Sequence, residues 1–390
     1  MAKLRAIRLY YFFTGTSGFL IPFLSLFYVE RGLTGTQIGW LGTIGSLTAL
    51  VVAPMWGRWS DRIPHPRGLL QFSLVGLAIC YLFLSQQHTF WGIASLIILQ
   101  ALIISGAEPI SNTLALGAVE GEEKAGFGSI RMWGSLGWAL SSVLSGWLIE
   151  RIGLIVAFVA NAGGAVLNAL ILSLIPMKEK KVQPHPSGSR TRDLIRYFRS
   201  DRAMVGLAVA LSILWVTRMG MFQFETIYMK QLGAGEGLIG ISSMLGALPE
   251  LAGMLWADRL VRLRGSHAVL KWGILLFSVT ALGVALFPSI PTLIAMRVLS
   301  GIAFSFYWIA LVVFINERAP LGQTATTMAL YLVTLRETVS MAGAPLSGLA
   351  FDTLGAYWLY PIGVAGTLLS WVILRFSVTG KRSQVDNREL

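Results

Sequence analysis

Residues 59–62 read Trp-Ser-Asp-Arg, and residues 256–259 read Trp-Ala-Asp-Arg. Each tetrapeptide follows an apolar run long enough to cross a bilayer, roughly 38–57 in the first case and 237–257 in the second. A second pair keeps nearly the same spacing: SGWLIERIG at 145–153 is echoed by SGLAFDTLG at 347–355. Offsets of 197 and 202 residues indicate a duplication, and the duplicated unit is built of membrane spans.

Composition agrees. Of 390 residues, 55% are apolar and only 13% charged, about half the charge of an average soluble domain. Such a chain needs lipid as solvent, and at about 20 apolar residues per span plus short loops it has room for twelve spans and no large soluble domain. Apolar stretches occur near 8–29, 38–57, 68–85, 90–118, 128–149 and 153–176, then near 202–228, 237–257, 267–287, 291–315, 325–349 and 357–377. The basic start MAKLRAIR resembles a signal peptide, but the run behind it is too long and lacks an A-x-A site, so it reads as a retained first span. Between the sixes lies KEKKVQPHPSGSRTRDLIRYFRS, a polar, basic linker whose RDLIRYFRS portion has the character of an interfacial helix. The expected architecture is an all-α integral membrane protein with twelve transmembrane helices in two six-helix pseudo-repeats: bundles at 1–177 and 201–390, joined by a cytoplasmic linker at 178–200. Parallel repeats with a site between them near the midplane form a transporter plan.

The net charge of +12 is informative by position. In a soluble protein it would suggest nucleic acid. With the N-terminus inside, 25 of the 31 Lys and Arg fall on the cytoplasmic side, three (Arg31, Arg151, Lys230) fall opposite, and three (Arg218, Arg297, Arg336) lie within spans. The positive-inside rule then predicts a multi-pass protein of the cytoplasmic membrane with both termini in the cytoplasm.

Two motifs carry a resemblance. GRWSDR at 57–62 resembles the G-x-x-x-D-R signature of the major facilitator superfamily, through Gly57, Asp61 and Arg62. The family continues with Gly and basic residues, whereas this chain reads IPHPRG. GFGSIRMWGSLGWAL at 126–140 is similar to the fifth span of the branch containing lactose and phenylpropionate permeases. The resemblance spans the chain and implies the major facilitator fold, alternating access and a small-molecule substrate. It implies sugar contacts for Arg131 and Trp138 and a conformational switch at Gly57, Asp61 and Arg62, repeated at Asp258 and Arg259. It stops short of galactoside specificity. Asn112 stands where that branch has a sugar-binding Glu, and Ser300 and Ala303 stand where it has a proton-coupling His and Glu.

Charges near mid-span normally face a cavity or a partner, since one at the bilayer centre costs roughly 2.5–3.5 kcal/mol on insertion scales. Glu108, Arg218, Glu225, Glu250, Arg297, Arg336 and Glu337 stand out. Glu225 and Arg297 read as nearer span ends, where snorkelling relieves them. For Arg218, Glu250, Arg336 and Glu337 the alternatives are structural ion pairs or a proton and substrate site. Glu250 in LPELAG and Arg336 match an acidic position of span eight and a basic one of span eleven in the permease branch, which implies a coupling pair with Glu337 as a second acid. Glu108 and Asn112 share a helix face, as substrate ligands or as a hydrogen-bonded patch between helices. Arg131 and Trp138 also share a face, with an interfacial Arg and a packing Trp as the alternative. Together Arg131, Trp138, Glu108, Asn112, Arg218 and Arg297 are the expected substrate contacts. Asn161 and Asn168 repeat the seven-residue spacing in span six and read as links between helices.

The function expected is a secondary transporter, a proton symporter for a small polar or anionic organic solute such as a sugar, nucleoside or aromatic acid. The alternative is an exporter of drugs or metabolites. An intramembrane enzyme is disfavoured, since no nucleophile, metal set or spaced acid pair is found. No cofactor, metal or nucleic acid is expected. The four His lie in loops or at span ends, the lone Cys80 reads as a buried apolar residue, and GEGLIG at 235–240 reads as a turn without a preceding strand.

Overall fold

The computed structural model describes residues 2–62, 67–107, 110–111, 127–175, 201–319 and 324–377, without the side chains of residues 2, 3, 53, 54, 57–62, 127–129 and 324–326. Among these residues all regular structure is helical. The first span is α1 (Ala2–Thr14), two 3₁₀ turns at Gly15–Phe19 and Ile21–Phe23, and α2 (Leu24–Glu30). Then follow α3 (Gly35–Arg62), α4 (Arg67–Leu84), α5 (Phe90–Ile104), α6 (Phe127–Ile152) and α7 (Ile155–Ser173). The second set comprises α8 (Arg202–Gln231), α9 (Glu236–Arg264), α10 (Ser266–Leu286) and α11 (Ile290–Arg318). Its eleventh span runs through α12 (Thr324–Ala329), a π-helical stretch at Leu330–Leu335 and α13 (Arg336–Leu354), and α14 (Leu359–Ser377) is the last described helix. The order follows the apolar runs of the sequence, and several helices extend a turn beyond them.

Two long helices fall short of the hydropathy that most others reach: α6, with Arg131, Glu150 and Arg151, and α13, with Arg336 and Glu337. Both pack against the opposite set, α6 on α9 and α13 on α3. They are spared lipid contact along that side, so polar residues cost less there. The first span breaks at Pro22 and the glycines before it. A Cβ on Gly15 would collide with the backbone of Gly134 and Trp138, and one on Gly137 with the carbonyl of Phe12. Glycine at these places lets α1 and α6 touch backbone to backbone, which sets the position of Trp138.

The apolar cores divide unevenly. One cluster, including Ile7, Trp56, Leu70, Ile130 and Leu172, belongs to the first set alone. Another, including Leu207, Leu270, Phe314 and Leu374, belongs to the second. A third contains residues of both, among them Phe23, Ile38, Phe158, Phe224 and Tyr360. The third core lies at the end where α2 meets α3 and α8 meets α9. Among the described residues, the hydrogen bonds joining the sets belong to that half of the molecule: Thr226 Oγ1 to the Pro22 carbonyl at 2.6 Å, Thr43 Oγ1 to the Met341 carbonyl at 2.8 Å, and Gly35 and Thr36 to Asp352. The helices are thus sealed together on the face away from the termini.

Candidate functional site

A cavity of about 680 Å³ lies beneath the sealed end. Its wall is mostly first-set helix: Tyr10, Tyr11, Thr14 and Ser17 of the first span, Tyr81 of α4, Ser105 and Ser111 of the fourth span, Arg131, Ser135 and Trp138 of α6, and Asn161 and Asn168 of α7. The second set contributes Ala247 and Glu250 from α9. Arg131 and Trp138, from one sequence stretch, and Glu250, from another, therefore share one chamber.

Local chemistry fixes these groups. Glu250 follows Pro249, which α9 accommodates without ending. A proline inside a helix withdraws one N–H from the ladder, and α9 is held against α11 here by Ser305 Oγ, which donates to the Glu250 carbonyl at 3.0 Å. The cations acting on the Glu250 carboxylate are Arg297 and Arg131, so an acid of one set faces a base of the other. Ser141 Oγ donates to the Gly15 carbonyl at 2.9 Å and Ser145 Oγ to Phe19 at 2.5 Å, tying α6 to the broken first span. Tyr10 and Ser111 hydroxyls meet at 2.6 Å, and Ser111 also donates to Ala107 at 2.7 Å, so the tyrosine is the donor of the pair.

A second cavity, about 50 Å³, lies within the second set and is lined by Arg218, Glu225, Arg297, Ser300 and Tyr360 among others. Arg297 donates to Glu225 at 2.8 Å, and both side chains are largely buried. This corrects the expectation that the two residues snorkel: each finds its partner on a neighbouring helix instead. Arg218 stacks its guanidinium 3.4 Å from the centroid of the Phe277 ring, a cation–π contact. From Arg218 the groups alternate in sign through Glu225, Arg297 and Glu250 to Arg131, leading from the second set into the large cavity.

Arg336 and Glu337 approach each other at 4.0 Å and line neither cavity. Among the described residues no ion pair joins Glu250 to Arg336; Glu250 shares the large cavity with Arg131 instead. A π-helical stretch ends at Arg336, a feature frequent at functional sites. Asp258 bonds Arg262 at 2.9 Å along its own helix, and Arg259 is exposed beside it. Glu108 and Asn112 lie outside the described residues. Gly57, Asp61 and Arg62 fall in the last turns of α3, and their side chains are outside the described set. Sequence reasoning missed Tyr10, Tyr11, Thr14 and Tyr81. Polar hydroxyls interrupting the apolar first and third spans were the available signal.

A model of the MFS_1 like family matches residues 4–362. The maltose permease of Geobacillus stearothermophilus is 27% identical over 80% of this chain and 79% of its own length. The multidrug resistance protein MdtG of Escherichia fergusonii is 29% identical over 65% of this chain and 63% of its own. Among solved structures, the nucleoside transporter NupG superimposes with a TM-score of 0.83 at 15% identity, covering 98% of this chain and all of that one. The family match, the twelve-span order and the major facilitator fold agree: the chain belongs to the MFS_1-like family of the major facilitator superfamily and is a multi-pass membrane transporter, not an enzyme.

Proposed function

We propose that the chain is a proton-coupled symporter of the cytoplasmic membrane that carries a small polar organic solute by alternating access. The observation that carries this reading is the shared cavity, where Arg131 and Trp138 of one set face Glu250 of the other. Residues 1–177 and 201–390 act as the two rocking bundles and 178–200 as their linker. With both termini in the cytoplasm, the sealed face is the outer one and this conformation is inward-facing. Trp138 and the tyrosines offer ring faces to the solute, Arg131 donates hydrogen bonds, and Glu250 exchanges a proton with the cavity. Burial favours the Glu250 acid while Arg297 and Arg131 favour its carboxylate, so when solute occupies Arg131 the acid binds a proton. Arg218 and Arg297 extend the site into the second bundle. Arg336 and Glu337 remain proposed partners of Glu250 in proton coupling. Glu108 and Asn112 remain proposed solute contacts. The GRWSDR end of α3 with Gly57, Asp61 and Arg62, and Asp258 and Arg259 of α9, act as the cytoplasmic switch.

Proteoliposome transport of radiolabelled maltose and uridine tests the reading. Glu250→Gln should lose uphill, pH-gradient-driven accumulation yet retain solute exchange, while Arg131→Ala should lose both. If Glu250→Gln still concentrates solute, the proton does not ride on Glu250. A second reading, export, is favoured by the similarity to MdtG; on it, intact cells expressing the chain accumulate less solute than cells without it.

A further inference from the structure

We infer that Asn161 and Asn168 of α7 are substrate-recognition residues that present one oriented donor and one oriented acceptor to the cavity. This rests on reading the cavity as the solute site, and it changes the role expected for the two amides from links between helices to ligands. Both are among the cavity-lining residues, and they are 3% and 1% exposed. Seven residues apart on a helix, they share one face about 10.5 Å apart along the axis.

Asn168 is fixed by hydrogen counting. Thr14 Oγ1 donates its single proton to the Tyr10 carbonyl at 3.0 Å, so toward Asn168 it can only accept. The amide nitrogen of Asn168 therefore points at Thr14, at 3.2 Å, and Oδ1 is left as a buried acceptor without a partner. Asn161 Nδ2 is a buried donor aimed toward the Tyr81 hydroxyl, short of a hydrogen bond of good geometry. A residue serving only to join helices would have both ends of its amide engaged, because an unpaired buried polar group is costly. Between the two amides only Ala165 lines the wall, leaving space over the helix.

With Arg131, Trp138 and the two amides on its wall, the site favours a polar solute with a ring. That solute carries a donor for Asn168 Oδ1, an acceptor for Asn161 Nδ2 about two helical turns away, and a ring face for Trp138. Both a disaccharide and a nucleoside satisfy this chemistry.

The test is equilibrium binding of maltose and of uridine to the purified full chain, with thermal melting run in parallel. Asn161→Ala and Asn168→Ala should each weaken the bound probe about ten-fold, the size of one lost hydrogen bond, and keep a melting temperature near that of the parent. Asn161→Ala, which leaves Asn168 and Thr14 intact, decides the matter should Asn168→Ala not fold. Which probe binds distinguishes a disaccharide from a nucleoside. Unchanged affinity in the Asn variants, with the parent and not Arg131→Ala binding the probe, overturns the inference and leaves the cavity reading standing. If neither probe binds the parent, or Arg131→Ala binds undiminished, the cavity reading itself falls and the inference with it.

Discussion

Arg297 stands between two carboxylates, donating to Glu225 at 2.8 Å and acting on Glu250 across the edge of the large cavity. Breaking a buried pair by removing one partner strands the other charge, at a cost of about 3–5 kcal/mol, whereas removing both is far milder. Glu225 and Arg297 are about 14% and 24% exposed, so the lower end of that range applies. Arg297→Met alone should therefore lower stability by about 3 kcal/mol, and Glu225→Gln with Arg297→Met should recover most of it. Thermal unfolding in detergent reads this; a double variant no more stable than Arg297→Met would mean that Arg297 is held by something other than Glu225. The sequence presented these residues as two separate charges near span ends. Their pairing depends on which helices are neighbours, which a single chain read linearly does not contain. Glu250 stood out for the opposite reason, since a charge in an apolar run needs a special environment whatever its neighbours are; Arg131 and Trp138 stood out through the resemblance of residues 126–140 to a permease span.

The helices that seal the molecule do so in two matching pairs. In α13 against α3, a Cβ on Gly348 would strike the Gly35 carbonyl and one on Gly39 the Ala344 carbonyl. In α6 against α9, Gly146 meets Glu236 and Gly240 meets Ser142 in the same way. The repeat read as SGWLIERIG and SGLAFDTLG thus marks two equivalent crossings, and its acids occupy equivalent places. Glu150 lies against Gly235 and Gly237 at the start of α9. Asp352 accepts from Gly35 N at 2.6 Å, Thr36 N at 2.7 Å and Thr36 Oγ1 at 2.6 Å at the start of α3. A carboxylate there pairs with orphan N–H groups and the positive end of the helix dipole. Burial pushes the Asp352 carboxyl up, but the hydrogen bonds from Thr36 and Gly35 outweigh it and hold the group below its ordinary value of 3.8. A depressed carboxylate contributes above its free value and loses that contribution only as pH falls through the depressed one, so this contact should be constant from about pH 5 to 8. Asp352→Ala should shift the molecule toward forms open on this face at every pH in that range. Spin labels at Gln37 and Thr353 should then show a longer distance population; a distribution like that of the parent would mean the glycine crossings suffice alone. The spans themselves were legible because lipid imposes length and apolarity on each. The crossings were visible only as an unexplained repeat, and the π-helical stretch before Arg336 left no sequence signal at all.

At the scale of the whole molecule, two separate cores and one shared core define which end can open. Among the described residues, each helix set keeps its own apolar cluster toward the termini, and the cluster that contains both sets lies at the other end. An apolar cluster built from both sets must come apart when that face opens, while the separate clusters travel intact, so rocking about the cavity disturbs the shared core alone. Which side of the membrane this end faces follows from charge. Placing the termini outside would put 25 Lys and Arg on the outer side and leave three inside, against the bias that orients membrane proteins. The prediction is that cysteines introduced at Gln183, in the linker, and at Ser383, near the C-terminus, react with an impermeant maleimide only from the cytoplasmic side. The background is Cys80→Ala, a change made at a side chain 1% exposed and free of disulfide bonding, so the parent contributes no signal. Protection in intact cells with labelling in inverted vesicles places the fused end outside and the conformation as inward-facing. Labelling of either site in intact cells reverses the orientation. The same structure would then face outward, and the proton would enter the cavity from the side through which this model has it leave.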